Sequence, residues 1–297
     1  MLSKPPASAT EISSTRRGIG VSLLTRVKNP SALVRALYLT PSLAPHTFLS
    51  GTTPESLGES LGETLVDPSY FFTEHRWREH RRGLGLPEDP LPNHDASLTE
   101  TLPLDQLPTG TVGAVALDVH GCIVSLTSTG GRTNKLVGRI GDTPMMGAGF
   151  WAEEWKPSGW FRKFLSKVTK RRPTTAVGIS GTGDGDVSLL TSWSTITHPA
   201  LKYFIRHAVA ATIAHRVRYL HEPLDKAAKR VVTDLLDAGG IGGVIALDNN
   251  GCGKVTYYWA ILLYIPETNL DSYHASKLSW NVSRCYKTRW DPEDCHL

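Results

Sequence analysis

The chain reads as an α/β protein, a layered sandwich with antiparallel sheets between helices, and three observations predict it. Gly110 to Asp118, where small and β-branched residues alternate, and the apolar run Ile123 to Leu126 lie at hairpin distance, with a turn at Asp118 to Gly121 between them. Phe204 to Leu220 and Leu224 to Leu236 instead repeat their apolar residues at helical spacing. The stretch Gly242-Gly243-Val244-Ile245-Ala246-Leu247-Asp248-Asn249-Asn250-Gly251-Cys252 then echoes Val112 to Cys122, so a second hairpin begins there. Strands, two helices and strands again each carry one apolar face, and such faces bury by stacking in layers.

The remaining elements follow in order. Met1 to Arg17 is polar and rich in Ser and Pro, and is expected to be a disordered lead. Gly18 to Val27 reads as a short strand or helix end. Asn29-Pro30 supplies a cap and a first-turn proline for a helix over Ser31 to Tyr38. His46 to Ser50 is a brief extended piece. Thr53-Pro54-Glu55 repeats the cap-and-proline device ahead of a weak helix broken by Gly58 and Gly62. Thr73 should cap a charged helix running to Arg82, with Trp77 as its apolar anchor. Gly83 to Gly110 has prolines at 87, 90, 92, 103 and 108 and nothing periodic, which reads as a linker. In the two later helices, Ile205, Val209, Ile213, Val217 and Leu220 form one stripe and Ala228, Val231 and Leu235 the other, with Gly239-Gly240 as a stop. His207 and His215 are read as surface residues.

With 40% hydrophobic and 20% charged residues over 297 positions, the chain can bury one sizeable core. A net charge of +4 is mild, and the basic runs Arg76 to Arg82 and Lys163 to Arg172 read as solvated faces, so no nucleic-acid partner is expected. Cys122, Cys252, Cys285 and Cys295 have neither metal-ligand spacing nor the density of a disulfide scaffold, which fits a reduced, cytoplasmic setting. Tyr257 to Ile265, the longest apolar run, is too short to span a bilayer, and the first residues lack the apolar core of a signal peptide. No membrane is expected.

Thr111 stands behind Gly110 at the very start of a strand. If the Gly110-Thr111 bond breaks, the Thr111 hydroxyl and a freed α-amine lie on one residue. Such an amine titrates near pH 7.7 to 8.0, about where a base for that hydroxyl is needed. The same residues also fit a threonine that merely opens a buried strand. Arg139 and Asp142 lie three residues apart between glycines, a guanidinium and a carboxylate suited to the carboxylate and ammonium of an α-amino acid. A solvated Arg/Asp pair is the alternative. Gly181 to Gly185 invites comparison with a phosphate loop but lacks its Lys and a following helix.

Thr111 to Ala116, Thr127 to Gly131, Asn134 to Pro144 and Ser180 to Asp186, in this order and spacing, resemble the plant-type asparaginase/isoaspartyl-peptidase family of N-terminal-nucleophile hydrolases, which is related to the endopeptidase taspase. The fungal-type phrase Val66 to Glu74 fits the same family. The resemblance implies a four-layer αββα sandwich and self-cleavage at Gly110-Thr111, with Thr111 as nucleophile. It implies Thr129 as the residue tuning its amine, and Thr182 with Gly183 as oxyanion hole. It implies Arg139, Asp142, Gly183 and Gly185 as substrate contacts. No catalytic cofactor or metal is implied, only a structural monovalent cation held by backbone carbonyls near Thr53 to Gly62. The expected assembly is a dimer of self-cleaved heterodimers acting on asparagine or β-aspartyl peptides. Two alternatives stay open: a taspase-like endopeptidase cutting proteins after Asp, for which a nuclear setting would fit, and a catalytically silent relative.

On this reading residues 18–110 form the α-chain segment, with the linker over 83–110, and residues 111–251 the catalytic β-chain segment. Three departures from the family pattern are expected to matter. A strand and glycine loop that family members carry ahead of the equivalent of Gly18 is not found in Met1 to Arg17, residues 187–202 look like an insertion, and residues 252–297 form a divergent tail.

Overall fold

A computed structural model of the chain describes residues 18–87, 110–118, 120–156, 174–183, 203–238, 240 and 242–250. The expected lead at 1–17, most of the linker, the run Lys163 to Arg172, the insertion at 187–202, three of the four cysteines and the tail at 252–297 lie outside the described residues.

The architecture is a mixed α/β one built outward from a single buried strand. This strand runs Ala176–Thr182 and is the sixth in chain order, β6. It lies between β5 (Phe150–Glu154) and β7 (Gly243–Asp248), antiparallel to both. Its residues alternate in what they meet. Val177 and Ile179 join Val244 and Ala246 in one core with helices α5 (Val209–Tyr219) and α6 (Leu224–Asp237). Gly178 and Ser180 instead meet the hairpin of β3 (Val112–Leu117) and β4 (Ile123–Ser128), an antiparallel pair in the register Val112 to Ser128 and Leu117 to Ile123. The described layers are therefore hairpin sheet, three-stranded sheet, helices.

The hairpin turn explains the sequence echo. The Asp118 carboxylate accepts the N–H groups of His120 at 2.9 Å and Cys122 at 2.7 Å. At the end of β7, the Asp248 carboxylate likewise accepts the Asn250 N–H at 2.9 Å. An aspartate closing its own backbone two residues on is a turn-forming device, and both echoing stretches use it.

Residues before the linker make a second core. Here β1 (Gly20–Ser22) and β2 (Phe48–Ser50) pair in parallel across α1 (Pro30–Leu39). Ile19, Val27, Leu33, Leu37, Tyr38 and Ala44 fill the space between them and α2 (Thr52–Ser60). As expected, Asn29 caps α1, its side chain accepting from the N–H groups of Ser31 and Ala32, both at 3.1 Å. Asp67 closes a 3-10 turn over Pro68–Phe71. Thr73 caps α3 (Glu74–Gly83), accepting from Arg76 N–H at 3.4 Å.

Several expectations are corrected. Gly58 does not break α2, because the missing side chain lets α2 close onto Leu33 of α1. Thr53 does not cap that helix, which begins at Thr52 behind Gly51. Trp77 is no core anchor: it is 38% exposed and lies against Phe72, His80 and the Arg81 guanidinium. Phe204 to Leu220 is two helices, α4 (Tyr203–Arg206) and α5, because Ala208 takes a left-handed conformation at φ 44° between them. Leu220 is exposed beyond the end of α5. Among the described residues no helix covers the outer face of β3. Val112 is 61% exposed and Ala114 and Ala116 are exposed too, while α1 touches β4.

Glu55 is 2% exposed and accepts the N–H groups of Thr25 and Arg26, each at 2.6 Å, and of Val27 at 3.2 Å. Its buried carboxylate thus satisfies three consecutive backbone donors between β1 and α1, of which the Val27 N–H is itself buried. Glu55→Ala is expected to lower stability by about 3 kcal/mol or more. Glu55→Gln, which keeps an acceptor oxygen, should cost less. Urea denaturation of the two variants, with the slope of the transition unchanged, checks this order.

Candidate active site

The two sheets face each other in a regular step. Val115 of β3 stands over Gly178 of β6, and Gly113, two residues earlier, stands over Ser180, two residues later. A Cβ on either glycine would run into the side chain opposite. Because side chains alternate along a strand, the next residue on the inward face of β3 is Thr111, and the next on this face of β6 is Thr182. The step therefore aligns Thr111, at the entry to β3, with Thr182, at the exit of β6. Both are half-buried, as is Gly183, while Gly110 is exposed.

β4 repeats the pattern. The Ser125 hydroxyl donates to the Ile179 carbonyl at 2.5 Å. The Thr127 hydroxyl lies 2.5 Å from the Ser180 hydroxyl and donates to the Gly149 carbonyl at 3.0 Å. Thr129 follows directly after Ser128, the partner of Val112, and so lies across the hairpin from Thr111. It is exposed, and its hydroxyl accepts the Gly131 N–H at 3.1 Å.

The loop after Thr129 carries Arg139 and Asp142. Asp142 is 6% exposed. Its carbonyl accepts the Met145 N–H at 2.9 Å, and a Cβ on Gly149 would stand 2.5 Å from it. Gly149 in turn accepts from Thr127 and from the Gly181 N–H at 2.8 Å, so Asp142 is joined to β4 and β6 through one residue. Arg139 is half-buried, its Nη1 3.8 Å from where a Cβ of Gly141 would stand. Lys135 Nζ donates to the Gly130 carbonyl at 3.1 Å. Partial burial of that ammonium, and after it the Arg139 guanidinium, hold Lys135 below the usual lysine range.

Four contributors had no role assigned from sequence, although Thr127, Asn134 and Ser180 open blocks that carry the family resemblance. Thr127 and Ser180 bridge the sheets, and alternation alone would have put both on the inward faces. Gly242 lies against the Thr182 carbonyl and Gly183 Cα, with no room for a Cβ. Asn134 reaches helix α3: its side-chain N–H group donates to the His80 carbonyl at 3.0 Å, and its oxygen meets the His80 ring. Sequence carried no signal for this last contact, which spans 54 positions.

Gly185 lies outside the described residues. In the stretch considered for a monovalent cation, the carbonyls of Leu57, Gly58, Glu59 and Thr64 each accept a backbone N–H group. Among the described residues, no three His, Cys, Asp or Glu are grouped to hold a metal ion, and no helix is long and apolar enough to cross a membrane.

The family model described as asparaginase matches residues 9–156. An isoaspartyl peptidase of Salmonella typhimurium is 33% identical over 238 residues, 80% of this chain and 62% of its own length. The chain belongs to the asparaginase family. The family's isoaspartyl peptidase of Escherichia coli is 32% identical over 238 residues, 80% of this chain and 60% of its own. The protein of Arabidopsis thaliana named probable isoaspartyl peptidase/L-asparaginase 2 is 29% identical over 262 residues, 82% and 68% respectively. The chain thus spans about three fifths of the length of the two bacterial relatives.

Gly113→Ala is expected to destabilise the protein by about 1–3 kcal/mol, since its Cβ meets Ser180 Oγ. Adding Ser180→Gly should recover part of that loss, giving a favourable coupling in a double-mutant cycle followed by urea denaturation.

Proposed function

We propose that the chain is an autoprocessing, threonine-nucleophile amidohydrolase that cleaves the side-chain amide of asparagine or the β-aspartyl bond of isoaspartyl peptides. The observation that supports it most is the step in which β3 and β6 face each other, aligning the Thr111 end of one strand with the Thr182 end of the other. Family membership and the names of the relatives support the same reading.

In the maturation step, the Thr111 hydroxyl attacks the Gly110 carbonyl carbon. The peptide nitrogen leaves as the Thr111 amine, and water hydrolyses the resulting ester, giving chains 1–110 and 111–297. In turnover the Thr111 amine takes the hydroxyl proton and the oxygen attacks the side-chain carbonyl of the substrate. Thr182 and the Gly183 N–H donate to the developing oxyanion. Thr129 holds the amine in its working orientation. Ammonia, or the amine end of the isoaspartyl peptide's next residue, departs with the proton. Water then attacks the acyl ester, releasing the aspartyl product and restoring the hydroxyl. Arg139 pairs with the α-carboxylate and Asp142 with the α-ammonium, with Gly183 and Gly185 leaving room for the ligand. A four-layer sandwich, a dimer of self-cleaved heterodimers and a cytoplasmic setting belong to the same proposal.

A second reading, a catalytically silent relative, is supported by the exposure of the outer face of β3 among the described residues. Denaturing electrophoresis separates the two. The active reading expects two polypeptides that become one intact chain in Thr111→Ala, whose hydrolysis falls on the order of 10⁴-fold or more. One intact band in the unmodified protein at all times would exclude it. Asp142→Asn should raise KM for asparagine about 10-fold to 100-fold with kcat nearly kept, since a charge-assisted bond of about 1.5–3 kcal/mol to the bound ammonium is weakened.

A further inference from the structure

We infer that Lys135 is a positioning residue that holds the Thr129-Gly130-Gly131 turn in its working shape by clamping the Gly130 carbonyl. The part of this inference that concerns catalysis rests on the hydrolase reading above. The turn has two hydrogen bonds of its own. Thr129 Oγ1 accepts the Gly131 N–H at 3.1 Å, and Lys135 Nζ donates to the Gly130 carbonyl at 3.1 Å. Thr129 is exposed and follows a strand end, so burial does not hold it there. An ammonium on a carbonyl is a stronger tie than a neutral donor would be. Gly131 shows how tightly the lysine is folded back. It has φ 76°, and a Cβ on it would stand 2.6 Å from Lys135 Nζ.

The base of the lysine is itself anchored. Its neighbour Asn134, at φ 55°, is gripped by His80 of α3 through both its side-chain oxygen and nitrogen. One residue further back, Thr133 hydrogen-bonds Glu79, which lies below the ordinary glutamate range: burial opposes that shift, and bonds from Arg76 and Thr133 outweigh it. Helix α3 thus fixes the point from which Lys135 reaches back to Gly130. Desolvation of its ammonium agrees with this folded-back position.

The test uses the full chain and the variants Lys135→Met and Lys135→Arg. Hydrogen exchange of the segment around Gly131, followed by mass spectrometry, should speed up about tenfold in Lys135→Met and stay within about twofold in Lys135→Arg. On a β-aspartyl dipeptide, Lys135→Met should lose about tenfold in kcat with KM nearly unchanged, and Lys135→Arg should restore it. Unchanged exchange in Lys135→Met overturns the clamp, and faster exchange with undiminished kcat overturns its catalytic part. An unmodified protein with no hydrolysis at all sinks the hydrolase reading, while the exchange measurement still decides the clamp.

Discussion

Everything in the described structure depends on how closely the hairpin can approach strand β6. Sheets that meet face to face are normally held about 10 Å apart by the side chains between them. Here Gly178 yields to Val115 and Ile123 on the hairpin, and Gly113 yields to Ser180 on β6. The approach is what lets Thr127 and Ser125 reach β6 and its neighbour Gly149 with their hydroxyls. These hydroxyls satisfy polar groups that the close contact cuts off from water, and each geometric requirement supports the other. A sandwich with larger residues at 113 and 178 would separate the sheets and lose both the bonds and the alignment of the Thr111 and Thr182 ends.

The loop from Thr129 to Gly149 has no regular structure over most of its length, yet it is attached on several sides. The carbonyl of Pro144 lies against Gly20 of β1, Asn134 is held by α3, and Asp142 and Thr143 press on Gly149 beside β6. Two of those attachments come from residues before the linker. A cut at Gly110 would therefore divide the chain and not the packing, because the first segment supports the loop of the second. For a protein cut at that bond, the same contacts would keep the two pieces together.

Local chemistry was legible wherever a residue acts on its own neighbours. Asn29 and Thr73 cap the helices that follow them, and Asp118 and Asp248 close the turns they begin, because partners two or three residues away are encoded in the same few positions. Reading failed where the partner is remote. Thr53 and Glu55 resembled a cap, but Glu55 answers to backbone donors 28 to 30 positions earlier. Gly58 resembled a breaker, but its value is to admit Leu33. Trp77 looked like an anchor because it is large and apolar, whereas an arginine-rich helix lets it rest on the surface beneath Phe72 and Arg81.

By itself the sequence determined the family, the hairpin, the helical character of the stretch after β6 and the candidates Thr111, Thr129, Arg139, Asp142, Thr182 and Gly183, since these lie in short ordered blocks whose spacing survives along the chain. Tertiary structure alone decided that Thr111 and Thr182 stand at matching ends of facing strands, that Thr127 and Ser180 bridge the sheets, and that α3 holds Asn134. The physical reason is range. Caps, turns and periodicity act over a few residues, whereas the depth at which two sheets meet is set by which side chains are missing at contacts about 65 positions apart, and only the folded chain brings those positions together.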